Sequence, residues 1–204
     1  MSSRPGVVCL LGSALFAAGC DKAPQPSGQA KPTAQATTAA PDEVTSAPAA
    51  TTPQPTPKSG TFDRSHKGEA APTVSFTAPD GRPVTLASFG GKPLLVNLWA
   101  TWCAPCVAEM PTLDDAAGRL GTQVRVLTVS QDLDGAAKVG PFFARAKFAH
   151  LQPYLDPEVG LSLAYQANLP ATILYDARGR EVWRRLGGYE WNTPEALAAI
   201  GEAT

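Results

Sequence analysis

The chain has 204 residues, 44% of them hydrophobic and 17% charged, and Lys+Arg 17 against Asp+Glu 18 leave a formal net charge of −1. A balance so near neutrality carries no electrostatic signature of nucleic-acid binding. The two histidines, His66 and His150, sit far apart and outside any metal spacing with the four cysteines, so no structural zinc set can be assembled.

Residues 1–20 read as a processing segment. Arg4 supplies a weakly positive start, residues 7–18 an apolar core, and Ala17-Ala18-Gly19-Cys20 the end. The run is shorter than the about 20 residues a membrane span needs. Small residues directly before a cysteine resemble a lipobox, which makes Cys20 the expected lipidated first residue of the mature protein. Ala17 replaces the leucine usual in that motif, so ordinary signal cleavage or an uncleaved anchor stays open. The placement this implies is the periplasmic side of a bacterial cytoplasmic membrane. Residues 21–70 are expected to be a disordered linker: Ala, Pro, Thr, Gln and Ser dominate residues 21–60, and Val44 is the only large aliphatic side chain there. Such a segment cannot offset the entropy of ordering. As a tether it would span about 35 Å when coiled and up to ~120 Å when extended.

Residues 71–204 are long enough for one domain with one core. A strand is expected at 73–77 and another at 94–100, where Leu94-Leu95-Val96-Asn97-Leu98-Trp99-Ala100 is nearly all apolar, as in a buried parallel strand. A helix follows over 105–120, with Val107, Met110, Leu113, Ala117 and Leu120 at helical spacing and Gly121 as its stop. Pro105 suits the first turn, and Pro111 is expected to bend the helix. Beyond it come a strand at 123–129, helices at 136–148 and 157–166, strands at 172–176 and 181–186 turning at Ala177-Arg178-Gly179-Arg180, and a last helix at 194–200. The pattern fits an α/β domain with a mixed central sheet flanked by helices. Arg178, Arg180, Arg184 and Arg185 are expected to form a solvated hairpin face, His150 to lie at the surface, and Trp183 and Trp191 to lie in the core.

Between the second strand and the first helix lies Trp102-Cys103-Ala104-Pro105-Cys106. With Cys9 and Cys20 in the N-terminal run, Cys103 and Cys106 form a lone pair. A crosslink closing so small a loop removes little chain entropy, which disfavours a purely structural bridge; redox cycling is the expected chemistry. A helix N-terminus favours thiolate over thiol, so Cys103 is the candidate nucleophile and Cys106, one turn inside, the resolving thiol. Asn97 reads first as a satisfied buried amide. Glu109, three residues after Cys106, has two open roles: a proton carrier for the resolving thiol if burial raises its pKa, or a solvated carboxylate favouring the helix dipole. Trp99 and Trp102 suit strand packing and a hydrophobic collar for docking a substrate.

The stretch from Val96 through Cys106, followed by Glu109 and Pro111, resembles the active-site signature of thioredoxin-fold proteins. More narrowly, it resembles the TlpA/ResA branch of membrane-anchored bacterial thiol–disulfide oxidoreductases. The similarity extends to Asn168-Leu169-Pro170-Ala171-Thr172 and to Gly187-Gly188-Tyr189-Glu190-Trp191, the latter most similar to TlpA-type members. The resemblance implies a redox-active disulfide between Cys103 and Cys106, with no other cofactor and no metal, and a cis Leu169–Pro170 bond facing it. It implies cysteine-containing periplasmic proteins as substrates, a membrane electron donor as reductant, and attachment to the inner membrane through a lipid anchor. Asn97 stands where thioredoxin carries an aspartate, leaving Glu109 or water as proton acceptor. Ala171 replaces the glutamate typical of cytochrome c maturation members, and Ala104-Pro105 resembles the dipeptide of reducing thioredoxins. The expected function is reduction of cysteine pairs in copper-delivery, oxidase-assembly or cytochrome c maturation proteins. The alternative is a Cu(I)-binding metallochaperone using the same two thiolates, with His150 as the only available further ligand. A peroxidase is disfavoured because Ala100 and Val96 occupy the positions where it needs a hydroxyl residue and a proline.

Overall fold

The computed structural model describes residues 60–204; the processing segment, Cys20 and the linker up to residue 59 lie outside them. Strands β1 (Phe76–Thr77), β2 (Pro83–Val84), β3 (Leu94–Trp99), β4 (Arg125–Ser130), β5 (Pro153–Leu155), β6 (Ala171–Tyr175) and β7 (Glu181–Leu186) are interleaved with helices α1 (Ala104–Leu120), α2 (Ala136–Ala146), α3 (Gly160–Tyr165) and α4 (Pro194–Ile200). The strands make one sheet in the order β2-β1-β5-β4-β3-β6-β7. β3, β4 and β5 run parallel, while β6 is antiparallel to both β3 and β7. This is the mixed sheet flanked by helices that the sequence predicts, with the thioredoxin-like connectivity.

β3 is buried along its whole length, and its alternation sorts the core into two layers. Leu94, Val96 and Leu98 pack with Leu127, Val129, Ile173 and Leu161 on the α3 side. Leu95 and Trp99 pack with Met110, Leu113, Val139, Leu174, Trp183 and Trp191 on the side of α1, α2 and α4. Asn97, between Leu95 and Trp99 in the alternation, therefore faces α1. The hairpin joining β6 to β7 turns as expected: the Asp176 carboxylate accepts the N–H groups of Arg178 and Arg180, and Gly179 takes φ 72°.

Four expectations need correction. The first helix of the pair after β4 keeps its start, but the 157–166 helix shortens to Gly160–Tyr165, because Asp156 and the turn after it occupy 156–159. The Asp156 carboxylate caps the N–H groups of Gly160 and Leu161. Second, β2 and β5 were not expected; two and three residues leave too little periodicity to read.

Third, the linker does not reach residue 70. Residues 60–70 form a strap along β7. Gly60 N–H donates to Leu186 O at 3.0 Å, Asp63 and Arg184 exchange backbone bonds at 2.8 and 2.9 Å, and Gly68 N–H donates to Glu181 O at 2.8 Å. Phe62 holds the strap down, with its ring 4.8 Å from Trp183 and 5.5 Å from Tyr189. Phe62→Ala is expected to cost about 2 kcal/mol by loss of these contacts, read as a lowered urea midpoint with an unchanged m-value; no change in midpoint would mean the strap adds nothing to stability.

Fourth, Arg184 and Arg185 are not solvated but buried. The β6–β7 register skips Val182, pairing Leu174 with Trp183 and Tyr175 with Glu181. That irregularity brings Glu181 onto the face of Arg184, where the two form a bidentate pair at 2.7 and 2.7 Å. Arg178 and Arg180 remain outward, as expected.

Candidate active site

α1 begins where β3 ends, and the cysteine pair occupies that junction. Cys103 is the N-cap in extended conformation (φ −89°, ψ 97°), and Pro105 falls in the first turn, where a missing N–H leaves no hydrogen bond unmade. Cys103 and Cys106 are joined in a disulfide, S–S 2.01 Å and Cα–Cα 5.3 Å. Cys103 keeps 6% of its surface exposed, whereas Cys106 is fully enclosed at 0%. An attacking protein can therefore meet only the first sulfur.

Three segments fix this junction. Ahead of it, the buried Asp132 carboxylate accepts the Thr101 N–H at 2.8 Å, the Thr101 hydroxyl at 2.6 Å and the Ser130 hydroxyl at 2.8 Å. Opposite it, Ala171 pairs with Leu98 in β3, which places the preceding Leu169–Pro170 bond at the same end of the sheet; that bond is cis. Pro170 O accepts the N–H of Gly187 at 2.9 Å, linking this loop to the segment after β7. There Gly188 lies so close to α1 that a Cβ would stand 3.4 Å from the Cβ and O of Pro105. The glycine allows the loop to lie on the first turn. Trp102, beside the disulfide, is 70% exposed, and it lines a shallow groove with Leu133, Asp134 and Lys138. Trp99 does not share that collar: it is fully buried against Phe142 and Phe143.

Glu109 lies one turn beyond Cys106 and is buried, which removes the solvated role. Its Oε1 accepts from Asn97 Nδ2 at 2.8 Å, and its Oε2 from the Tyr189 N–H at 2.9 Å and Trp191 Nε1 at 3.2 Å. Burial pushes its carboxyl above the ordinary glutamate range, against the downward pull of these three donors and of the Arg185 charge. Asn97 spends its other N–H on Thr172 Oγ1 at 3.0 Å, while its Oδ1 is buried without a partner among the described residues. It is the main organiser of Glu109 rather than a fully satisfied amide. A groove of about 430 Å³ between α1 and the Gly188–Glu190 stretch reaches Glu109 from solvent, a route for proton exchange.

The structure thus gathers Cys103, Cys106, Trp102, Leu169 and Pro170 at one end of the sheet, with Asn97 and Glu109 beneath. Sequence reasoning missed Asp132, Thr172, Gly188 and Arg185. Thr172 and Gly188 did lie in the two stretches that carried the resemblance, without a role of their own. His150 is not brought to the cysteines. Its ring lies against Gly118, fifteen residues along α1 from Cys103 and so about 22 Å away. His66 instead pairs with Glu69 in the strap. Among the described residues no group of three or more His, Cys, Asp and Glu could hold a metal ion, and no helix is long and apolar enough to cross a membrane.

Comparison with known proteins agrees with this geometry. The Redoxin family model matches residues 66–200. The thioredoxin-like protein YneN of Bacillus subtilis is 29% identical over 115 residues, 55% of this chain and 67% of its own. The thiol-disulfide oxidoreductase ResA of Bacillus cereus is 37% identical over 59 residues, 28% of this chain but only 34% of its own length. A crystal structure from Chlorobium tepidum, described as a "putative Thiol:disulfide interchange protein DsbE", superimposes with a TM-score of 0.61 at 21% identity, covering 70% of this chain and 99% of that one.

Proposed function

The chain belongs to the Redoxin family and is a thiol–disulfide oxidoreductase of thioredoxin fold; from that premise we propose that it works as a reductant of cysteine pairs in other proteins. The observation that carries the reading is the disulfide itself, with one partly exposed sulfur at a helix N-terminus and its partner enclosed behind it. In the reduced protein, the Cys103 thiolate attacks a client disulfide and forms a mixed disulfide, expelling one client thiolate. Cys106 then gives its proton to the Glu109 carboxylate and attacks Cys103 Sγ. The mixed bond breaks, the second client sulfur leaves as thiolate, and two electrons have passed to the client. The chain is left with the Cys103–Cys106 bond and needs no further cofactor.

The direction is supported by the Ala104-Pro105 dipeptide and by the surroundings of Cys103, since both histidines lie elsewhere and cannot stabilise its thiolate. The Cu(I) alternative loses its third ligand for the same reason. A periplasmic site, a lipid anchor at Cys20, a membrane electron donor, and clients among copper-delivery, oxidase-assembly or cytochrome c maturation proteins rest on Ala17-Ala18-Gly19-Cys20 and on the likeness to the TlpA/ResA branch. The test is the reduction potential of the Cys103–Cys106 couple. A value near that of thioredoxin, about −270 mV, is expected; one near that of DsbA, about −120 mV, would make the protein an oxidant.

A further inference from the structure

Arg184 and Arg185 are adjacent and buried, but they are solved differently. Arg184 has a bidentate carboxylate, Glu181. Arg185 has no carboxylate within ion-pair distance among the described residues. Its Nη1 donates to Gly60 O at 2.6 Å, and its Nε is buried with no acceptor. The guanidinium lies over two aromatic rings instead, its Cζ 3.9 Å from the Tyr189 centroid and 5.3 Å from that of Phe62. Removing a cation from water without a counter-charge in contact is costly, and cation–π contact returns only part of that cost.

The register shows what the position gains. Asn97 pairs with Thr172, and Thr172 pairs with Arg185. The three form one cross-strand row over β3, β6 and β7, on the face covered by α1. Glu109 takes the Asn97 end of the row, and Arg185 stands two strand spacings away, about 10 Å. Tyr189 bridges them: its ring carries Arg185 and its backbone N–H donates to Glu109. We propose that Arg185 is a positioning residue for the redox centre, clamping the Tyr189 loop so that its N–H meets Glu109 and keeping a positive charge in the row that ends on that carboxylate. The strap is part of the device, since Gly60 and Phe62 supply the other contacts of the guanidinium. Arg185 in turn is held below its ordinary range by burial, offset by Tyr189 and Glu109. Besides Arg185, the titratable residues beside Glu109 are Tyr189 and Glu190 on the groove it lines and, once reduced, Cys106 one turn before it on α1.

This inference rests on Glu109 as the proton carrier, but its test involves no turnover. In the oxidised full chain both thiols are silent, and the Glu109 carboxyl can be titrated by carbon NMR, its resonance identified by its absence in Glu109→Gln. Arg185→Met, similar in reach but uncharged, is expected to raise the Glu109 midpoint by about half a pH unit. Arg185→Lys, which keeps the charge and loses the guanidinium lying over the two rings, is expected to give a smaller rise. An unchanged midpoint in a folded Arg185→Met protein overturns the proposal. Should that variant not fold, an unchanged midpoint in Arg185→Lys does the same. If neither folds, Arg185 serves stability alone and the proposal also fails. A shifted midpoint in a protein whose couple proves oxidising would uphold the clamp and sink only the reductant reading.

Discussion

Serine at position 103 is expected to end disulfide exchange altogether, with turnover of a disulfide client falling at least ~10³-fold, to background. The reason is accessibility as much as nucleophilicity. Cys106 is enclosed, so no second sulfur can substitute in the first attack. Serine at position 106 should fail differently: the first step proceeds, the mixed disulfide on Cys103 has no partner to resolve it, and a covalent client adduct accumulates. Non-reducing gels and intact-mass spectrometry distinguish the outcomes. An adduct that forms on Cys106 in the Cys103→Ser protein would reverse the assigned order.

Glu109→Gln is expected to slow resolution of the mixed disulfide about 10²-fold, the usual contribution of a positioned acid–base group. Both carboxylate oxygens now receive donors: Asn97 on one, Tyr189 and Trp191 on the other. An amide can present an acceptor to only one side and must face a donor with its own NH2 on the other, at a cost of about 1–3 kcal/mol. The pH dependence has a fixed sign. Burial raises the folded-state carboxyl above its value of 4.5 in the unfolded chain. The folded state therefore holds this proton more tightly, a contribution present in full below 4.5 and lost as pH rises through the raised folded pKa. Glutamine does not titrate, so the stability of the natural protein relative to Glu109→Gln should decline on going from about pH 4 to about pH 8. Urea unfolding at both pH values measures it, and a gap that widens with pH would show a carboxyl stabilised in its ionised form.

Much of this was legible in the amino-acid order because it is local. β3 announces itself as an apolar run broken only by Asn97, α1 by Pro105 at its start and Gly121 at its end, and the β6–β7 turn by Gly179 between charged residues. The redox pair needed only its spacing and its place between those two elements. What could not be read is what depends on register. Arg184 and Arg185 look like surface charge until the skipped Val182 assigns them to faces. The strap begins inside a stretch whose composition still resembles the preceding linker, and only its ladder on β7 and the burial of Phe62 against Trp183 give it structure. Asp132 is one of several acidic residues in sequence, and becomes distinctive through the bonds it takes from Thr101 and Ser130.

The strap has one more effect. By lying along β7 it occupies the backbone groups that strand would otherwise offer to a stranger, and at the opposite margin β2 is two residues long and opens with a proline, which has no N–H to give. Both flanks of the sheet are thus closed to strand addition. A protein that exchanges disulfides with other cysteine-containing proteins is in this way kept from zippering onto their strands sideways, and they are left to approach end-on, toward sulfur.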